Sequence, residues 1–316
     1  MLKKLTLPLL VIFTLSFILI VYIYQQSIDE KPKVTVVLKD LNSEYGRIVE
    51  AGLRKGFHDF DLEGKVVAPT SESFFEQVDL LESILMENPD ILIISPLYPN
   101  YSIPTLEKFI EKNIPVFLLD TDYQWENKTA YIGTDNVDLG RTAGALLGSQ
   151  LQPGNEVAII GLDLYSPVAS ERIKGAKLSL EAIGINIVAE KVNVYSEPSK
   201  VKAEIETILE ENPKMKGIMA TNDELALIAF EVITEHGLNI SIIGADGLND
   251  MIKLIEEGDL SGTVAQNPYD MGYLSIETAR KVLNGENVEK HIDSGIDIII
   301  KGNGKQRLDF QNRFLK

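Results

Sequence analysis

From Lys33 onward the chain alternates between short apolar runs and amphipathic stretches of about 10–18 residues. The runs are Val34–Leu38, Val66–Ala68, Ile91–Ile94, Val116–Leu119, Val157–Ile160, Ile187–Val194, Ile218–Ala220 and Ile240–Gly244. Between them Tyr45, Ile48, Val49, Gly52, Leu53 and Phe57 recur at the spacing of one helical face. Breakers such as Asn88-Pro89, Asn113-Ile-Pro115, Pro153-Gly154 and Asn212-Pro213 separate the segments. Uniformly apolar strands alternating with helices predict an α/β fold of parallel sheets covered on both faces. One stretch recurs: Leu81-Glu-Ser-Ile-Leu-Met-Glu-Asn-Pro89 matches Ile205-Glu-Thr-Ile-Leu-Glu-Glu-Asn-Pro213 at six of nine positions. That separation exceeds a solenoid unit and fits two similarly built lobes, with a ligand cleft at the carboxyl ends of their strands.

Ahead of this pattern lies a different one. Leu5 to Tyr24 is an uncharged run of twenty residues, which as a helix spans about 30 Å, the thickness of a bilayer's hydrocarbon core. Lys3 and Lys4 precede it, and Tyr22 and Tyr24 stand at its far end. A single-pass anchor with the lobes outside the cytoplasm is the expectation. Cleavage as a signal peptide, and secretion, is the alternative.

Lys and Arg number 30 against 47 Asp and Glu in 316 residues, a net charge of −17. Met1 to Lys33 carries four lysines against Asp29 and Glu30, so the acidic excess lies beyond it. Such a chain repels phosphate backbones, and nucleic acid is excluded as a partner. The absence of cysteine removes thiol catalysis, disulfides, Cys-ligated metals and a lipid-modified cysteine. His58, His236 and His291 are scattered, without metal-ligand spacing. No phosphate loop or nucleophile elbow occurs. The chain is therefore expected to use no metal and no cofactor, and to bind without catalysis.

The residues just past the apolar runs are polar throughout. Lys39-Asp-Leu-Asn-Ser-Glu-Tyr45, Asp120-Thr-Asp-Tyr123, Thr221-Asn-Asp-Glu224, Gly244-Ala-Asp246 and Gln266-Asn267 all follow strands. Asp, Asn, Gln and Arg each make paired, directed hydrogen bonds, which suits vicinal hydroxyls. Asn and Asp in such places also serve as helix N-caps.

Seven stretches, in order, resemble the type I periplasmic sugar-binding proteins, nearest to the ribose-binding branch. They are Asn42-Ser-Glu-Tyr45, Ile114-Pro-Val-Phe-Leu-Leu-Asp120, Gly133-Thr-Asp-Asn136, Ser170-Glu-Arg-Ile-Lys-Gly175, Thr221-Asn-Asp-Glu-Leu-Ala226, Ile243-Gly-Ala-Asp-Gly247 and Ala265-Gln-Asn-Pro268. The resemblance implies two Rossmann-like lobes with a hinged cleft, crossed near Asp135, Gln266 and Asp293. Residues 1–32 would form the anchor and linker, 33–136 with 267–292 the first lobe, and 137–266 with 293–316 the second. It further implies that Asn42, Asp120, Arg172, Asn222, Asp246 and Gln266 hydrogen-bond the sugar, that Tyr45 stacks on it, and that Asp135 and Asn136 act at the hinge.

The chain departs from that pattern in places. Thr121 follows Asp120 where ribose binders carry Arg, and Glu44 replaces the first of two adjacent aromatics. A third ring has no direct match, with Tyr195 the nearest candidate. The expected pocket thus loses one positive charge and one ring, and gains the carboxylates of Glu44 and Asp122. That points to a neutral polyol or aldose, or an amino sugar, rather than a phosphorylated or carboxylated one. A monomer is expected. Its membrane partner is a histidine kinase if the anchor persists and the chain is a sensor accessory, the reading preferred from the sequence. The alternative partner is an ABC permease, with the chain as the binding component of a sugar importer. A glycosidase is the distant third.

Overall fold

The structure is a computed structural model that describes residues 31–71, 73–161, 166–191 and 197–315. Leu5–Tyr24 and Tyr195 lie outside the described residues, among which no helix is long and apolar enough to cross a membrane.

Two six-stranded sheets carry the fold. The first is built from β1 (Lys33–Val37), β2 (Glu63–Val67), β3 (Ile91–Ile94), β4 (Val116–Leu119), β5 (Ala130–Gly133) and β11 (His291–Asp293), in the order β11-β5-β4-β3-β1-β2. Its pairs are all parallel. The second holds β6 (Glu156–Ile160), β7 (Asn186–Lys191), β8 (Met215–Ala220), β9 (Ser241–Asp246), β10 (Gly262–Gln266) and β12 (Ile296–Ile299), in the order β12-β10-β9-β8-β6-β7. The two orders superpose strand for strand. One pair departs from the all-parallel expectation: β12 runs antiparallel to β10. Only Ser294 and Gly295 separate β11, on the edge of the first sheet, from β12, on the edge of the second.

Helices α1 (Glu44–Asp59), α2 (Phe74–Glu87) and α3 (Pro99–Glu111) cover the first sheet. Helices α5 (Pro167–Ala182), α6 (Pro198–Glu211), α7 (Asp223–Glu235) and α8 (Asn249–Glu257) cover the second. Two further helices exchange lobes. α4 (Asn136–Gly148) follows β5 but places Leu139, Ala143 and Leu147 in the second core, and α9 (Pro268–Leu283) follows β10 but places Met271, Ile276 and Ala279 in the first. The chain thus passes between the lobes after β5, after β10 and after β11. α10 (Gly304–Gln311) closes the fold against α8.

Central strands are buried along their whole length, as β3 and β4 show, because helices cover both faces. The edge strand β2 is mostly exposed, and β7 alternates. In each lobe the exchanged helix meets its neighbour at a glycine. A Cβ on Gly140 of α4 would lie 2.0 Å from the Arg172 carbonyl oxygen on α5, and one on Gly52 of α1 would lie 2.0 Å from the Tyr269 carbonyl oxygen on α9. Larger residues would drive these helices apart, and the first pair carries Arg172 of the site below.

Candidate functional site

The carboxyl ends of both sheets face one cleft, and a cavity of about 230 Å³ lies in it. Tyr45, Asp120, Arg172, Asn222, Asp246 and Gln266 all line it, so six of the seven principal residues expected from the sequence converge. Asn42 does not. It is exposed and lines an outer space of about 560 Å³ that shares Lys39, Asp40, Tyr45, Asn222 and Asp246 with the inner one.

The second lobe's side of the cavity centres on Arg172. Its Nε donates to Asn136 Oδ1 at 2.9 Å, and its Nη1 donates to the Thr221 carbonyl at 2.6 Å and to Asp246 Oδ1 at 2.8 Å. The Arg172 side chain is only 3% exposed. Asn136, expected at the hinge, is thus a buried support for Arg172, while Asp135 is exposed and caps α4 through the Asp138 amide. Asp246 ends β9 with φ of 110° and also accepts from Gln266 Nε2 at 2.7 Å. Asn222 caps α7 by accepting from the Leu225 amide with Oδ1, and it still lines the cavity. The capping and lining roles coexist because the cap uses only the carbonyl end of the amide.

The first lobe's side centres on Asp120, which ends β4 with φ of 65°. Tyr45 OH donates to its Oδ1 at 2.9 Å and lies 3.3 Å from Gln266 Oε1. Tyr45 therefore anchors its hydroxyl between the lobes as well as offering a ring. Lys39 Nζ donates to Asp120 Oδ2 at 2.6 Å and to Thr121 Oγ1 at 2.7 Å, and Ser95 lies beside the same carboxylate. Here the sequence expectation needs correction. The positive charge missing at Thr121 is supplied by Lys39 from the end of β1, two strands away in the sheet, and buried Thr121 is its partner. The signal was present, since Lys39 and Ser95 lie just past the apolar runs of β1 and β3.

The two added carboxylates are engaged elsewhere. Glu44 Oε1 accepts from the Asn249 amide of the opposite lobe at 2.8 Å, at the start of α8, whose N-cap Leu248 has no side-chain acceptor. Asp122 pairs with Lys128 and lines neither space.

Gln266 joins the halves. Its Oε1 accepts from Thr134 Oγ1 at 2.9 Å, and Arg307 donates to its backbone carbonyl and, at 3.1 Å, to Asn267 Oδ1. Behind Asp246 lies Asp223, fully buried, whose Oδ2 accepts from the Gly247 and Leu248 amides at 2.7 Å and whose Oδ1 accepts from Thr263 Oγ1 at 2.6 Å.

The electrostatics of the halves differ in sign. Burial pushes the Asp120 carboxyl up, but the charge and hydrogen bond of Lys39, with the Tyr45 hydroxyl, outweigh it and hold it below the usual range. At Asp246 burial wins over Arg172 and Gln266, and the carboxyl is raised. Burial, then the Asp246 charge, pushes Asp223 up to about 8 against its three hydrogen bonds. Among the described residues no cluster of His, Asp and Glu could hold a metal ion.

Residues 34–287 match the family model described as a periplasmic binding protein domain. The chain is 28% identical over 221 residues to a ribose import binding protein of Haemophilus influenzae, covering 69% of this chain and 75% of that one. It is 26% identical over 280 residues to a D-ribose/D-allose-binding protein of Pseudomonas aeruginosa, covering 85% and 87%. Among solved structures, a carbohydrate transporter solute binding protein from Agrobacterium radiobacter in complex with D-arabinose superposes with a TM-score of 0.80 at 25% identity, covering 90% and 99%.

Proposed function

The chain belongs to the periplasmic binding protein family, in its type I sugar-binding branch, and from that premise we propose that it captures a small neutral aldose for an ABC-type importer. The family is extracytoplasmic. One observation carries the reading: side chains from both lobes, Tyr45 and Asp120 against Arg172, Asn222 and Asp246, meet with Gln266 around one small cavity. Paired carboxylates, an amide and a guanidinium offer acceptors and donors in the density that a ring of hydroxyls requires.

Import displaces the sensor reading preferred from the sequence. That preference rested on the anchor, which lies outside the described residues, while the relatives are named for import or for carbohydrate transport. Closure on the sugar would present the joined rims of the lobes to a permease, and the sugar biases closure only by its higher affinity for the closed form.

The test is thermal unfolding of the purified full chain with D-ribose, D-allose and D-arabinose. A ligand at 100 times its dissociation constant stabilises by about 2.7 kcal/mol. No stabilisation by any neutral monosaccharide would defeat the reading, and release of free sugar from aryl glycosides would reopen a hydrolytic one.

A further inference from the structure

Resting on the sugar-binding reading above, we propose that Lys39 sets the charge selectivity of the cavity, admitting neutral sugars and rejecting amino sugars. An amine on the ligand would seek a carboxylate. Asp246 accepts from Arg172 and Gln266 through Oδ1, and its charge is already paired with the Arg172 guanidinium at 2.8 Å. Asp40 is spent on its own turn, where Oδ1 accepts from the Asn42 and Ser43 amides and Oδ2 from the Ser43 hydroxyl. Glu44 and Asp122 are held by Asn249 and Lys128. Asp120 is the first lobe's counterpart of Asp246 on the cavity wall, and Lys39 pairs with it at 2.6 Å.

An ammonium on the ligand would have to share that carboxylate with a second ammonium in a part-buried cleft, where like charges repel. A hydroxyl meets no such penalty. It can donate to the carboxylate and accept the third N–H of Lys39, because two of the lysine's three donors are used by Asp120 and Thr121. Arg172 is poorly placed for this task, since its guanidinium is locked by three protein acceptors. Lys39 has a flexible stem and a side chain 35% exposed.

Lys39→Met in the full chain tests the proposal, with Lys39→Arg as the charge-keeping control and ligand-free melting as the check on folding. Calorimetry compares D-allose with D-allosamine and D-glucose with D-glucosamine, and the readout is the neutral-to-amino affinity ratio. Wild type and Lys39→Arg should favour the neutral sugar, and Lys39→Met should lower the ratio at least about ten-fold, the scale of one charge-assisted hydrogen bond. A ratio unchanged within about two-fold in Lys39→Met would overturn the proposal.

A second arm needs no ligand. The titratable groups around Asp120 are Lys39, Tyr45, Tyr131, Arg172 and Asp246. In carbon-13 NMR titrations the Asp120 carboxyl should move to higher pH in Lys39→Met and stay in place in Lys39→Arg. An unmoved carboxyl in Lys39→Met shows that Lys39 is not its counter-ion, and the proposal falls. If no neutral sugar binds the wild type, the sugar-binding reading fails, and this titration still decides what Lys39 does.

Discussion

The two lobes end equivalent strands, β4 and β9, in the same way: an aspartate with positive φ, facing the cleft and paired with a cation. They differ in how that aspartate is held. Asp246 is served by an arginine fixed on α5, where the glycine contact of α4 and α5 sets the helix and Asn136, Thr221 and Asp246 take the guanidinium. Asp120 is served by a lysine on a loop, beside a tyrosine hydroxyl. The supports beneath differ too. In the first lobe a neutral buried amide, Gln77, donates to the Ser95 carbonyl and accepts from the Leu97 amide at the end of β3. In the second, a buried acid, Asp223, holds the turn after Asp246. One half of the cleft thus holds its cation buried and fixed by three acceptors, and the other holds it on a flexible, partly exposed stem.

The comparison breaks most sharply at Arg172. Arg172→Ala strands Asp246 in the interior and leaves the Asn136 and Thr221 oxygens unpartnered. It should lower unfolding free energy by about 3–5 kcal/mol, the range for one member of a buried pair. Denaturant titration measures this, and an effect below about 1 kcal/mol would erase the distinction between the halves.

Asp223 provides the next test. Its carboxyl is raised in the fold to about 8 from an ordinary 3.8, so between those values the folded chain holds a proton that the unfolded chain releases. Its contribution is fully present below about pH 4 and is lost as pH rises through about 8. Asp223→Asn, which keeps an oxygen for the Gly247 and Leu248 amides, should flatten that decline in denaturation series run from pH 4 to 9. An unaltered slope would place the pH dependence elsewhere.

The smallest effect probes the bridge between the halves. Glu44→Gln replaces a charged acceptor at the start of α8 with a neutral one, and charge at a helix N-terminus is worth about 0.3–1 kcal/mol. Small-angle scattering of the ligand-free chain should show a modest shift toward the open form. No shift would mean that Glu44 caps α8 without biasing closure.

Much of this frame was readable before any coordinates. The repeated stretch falls at the ends of α2 and α6, the same place in both lobes, just before the central strands β3 and β8. Those strands read as apolar runs because helices cover both faces. β5, β11 and β12 were not read: β5 is a four-residue Ala-Tyr-Ile-Gly stretch with no long apolar run, and a short, half-exposed edge strand such as β11 or β12 needs no continuous apolar pattern. The polar strand ends were visible as a set, and six of the seven principal residues meet. Asn42 stands apart from the six because its loop turns on Asp40, which places the side chain along the adjoining space.

Periodicity and strand-end chemistry, both local, were enough to determine the lobed α/β architecture and the face on which a ligand would sit, since burial imposes its period wherever a strand or helix is covered. Which charges pair was decided only in three dimensions. Lys39 and Asp120 are 81 residues apart, and Glu44 reaches 205 residues onward to Asn249. Partners so distant in sequence leave no spacing to read. They meet because parallel strands bring their carboxyl ends to one edge, and because the crossings fold two such edges face to face.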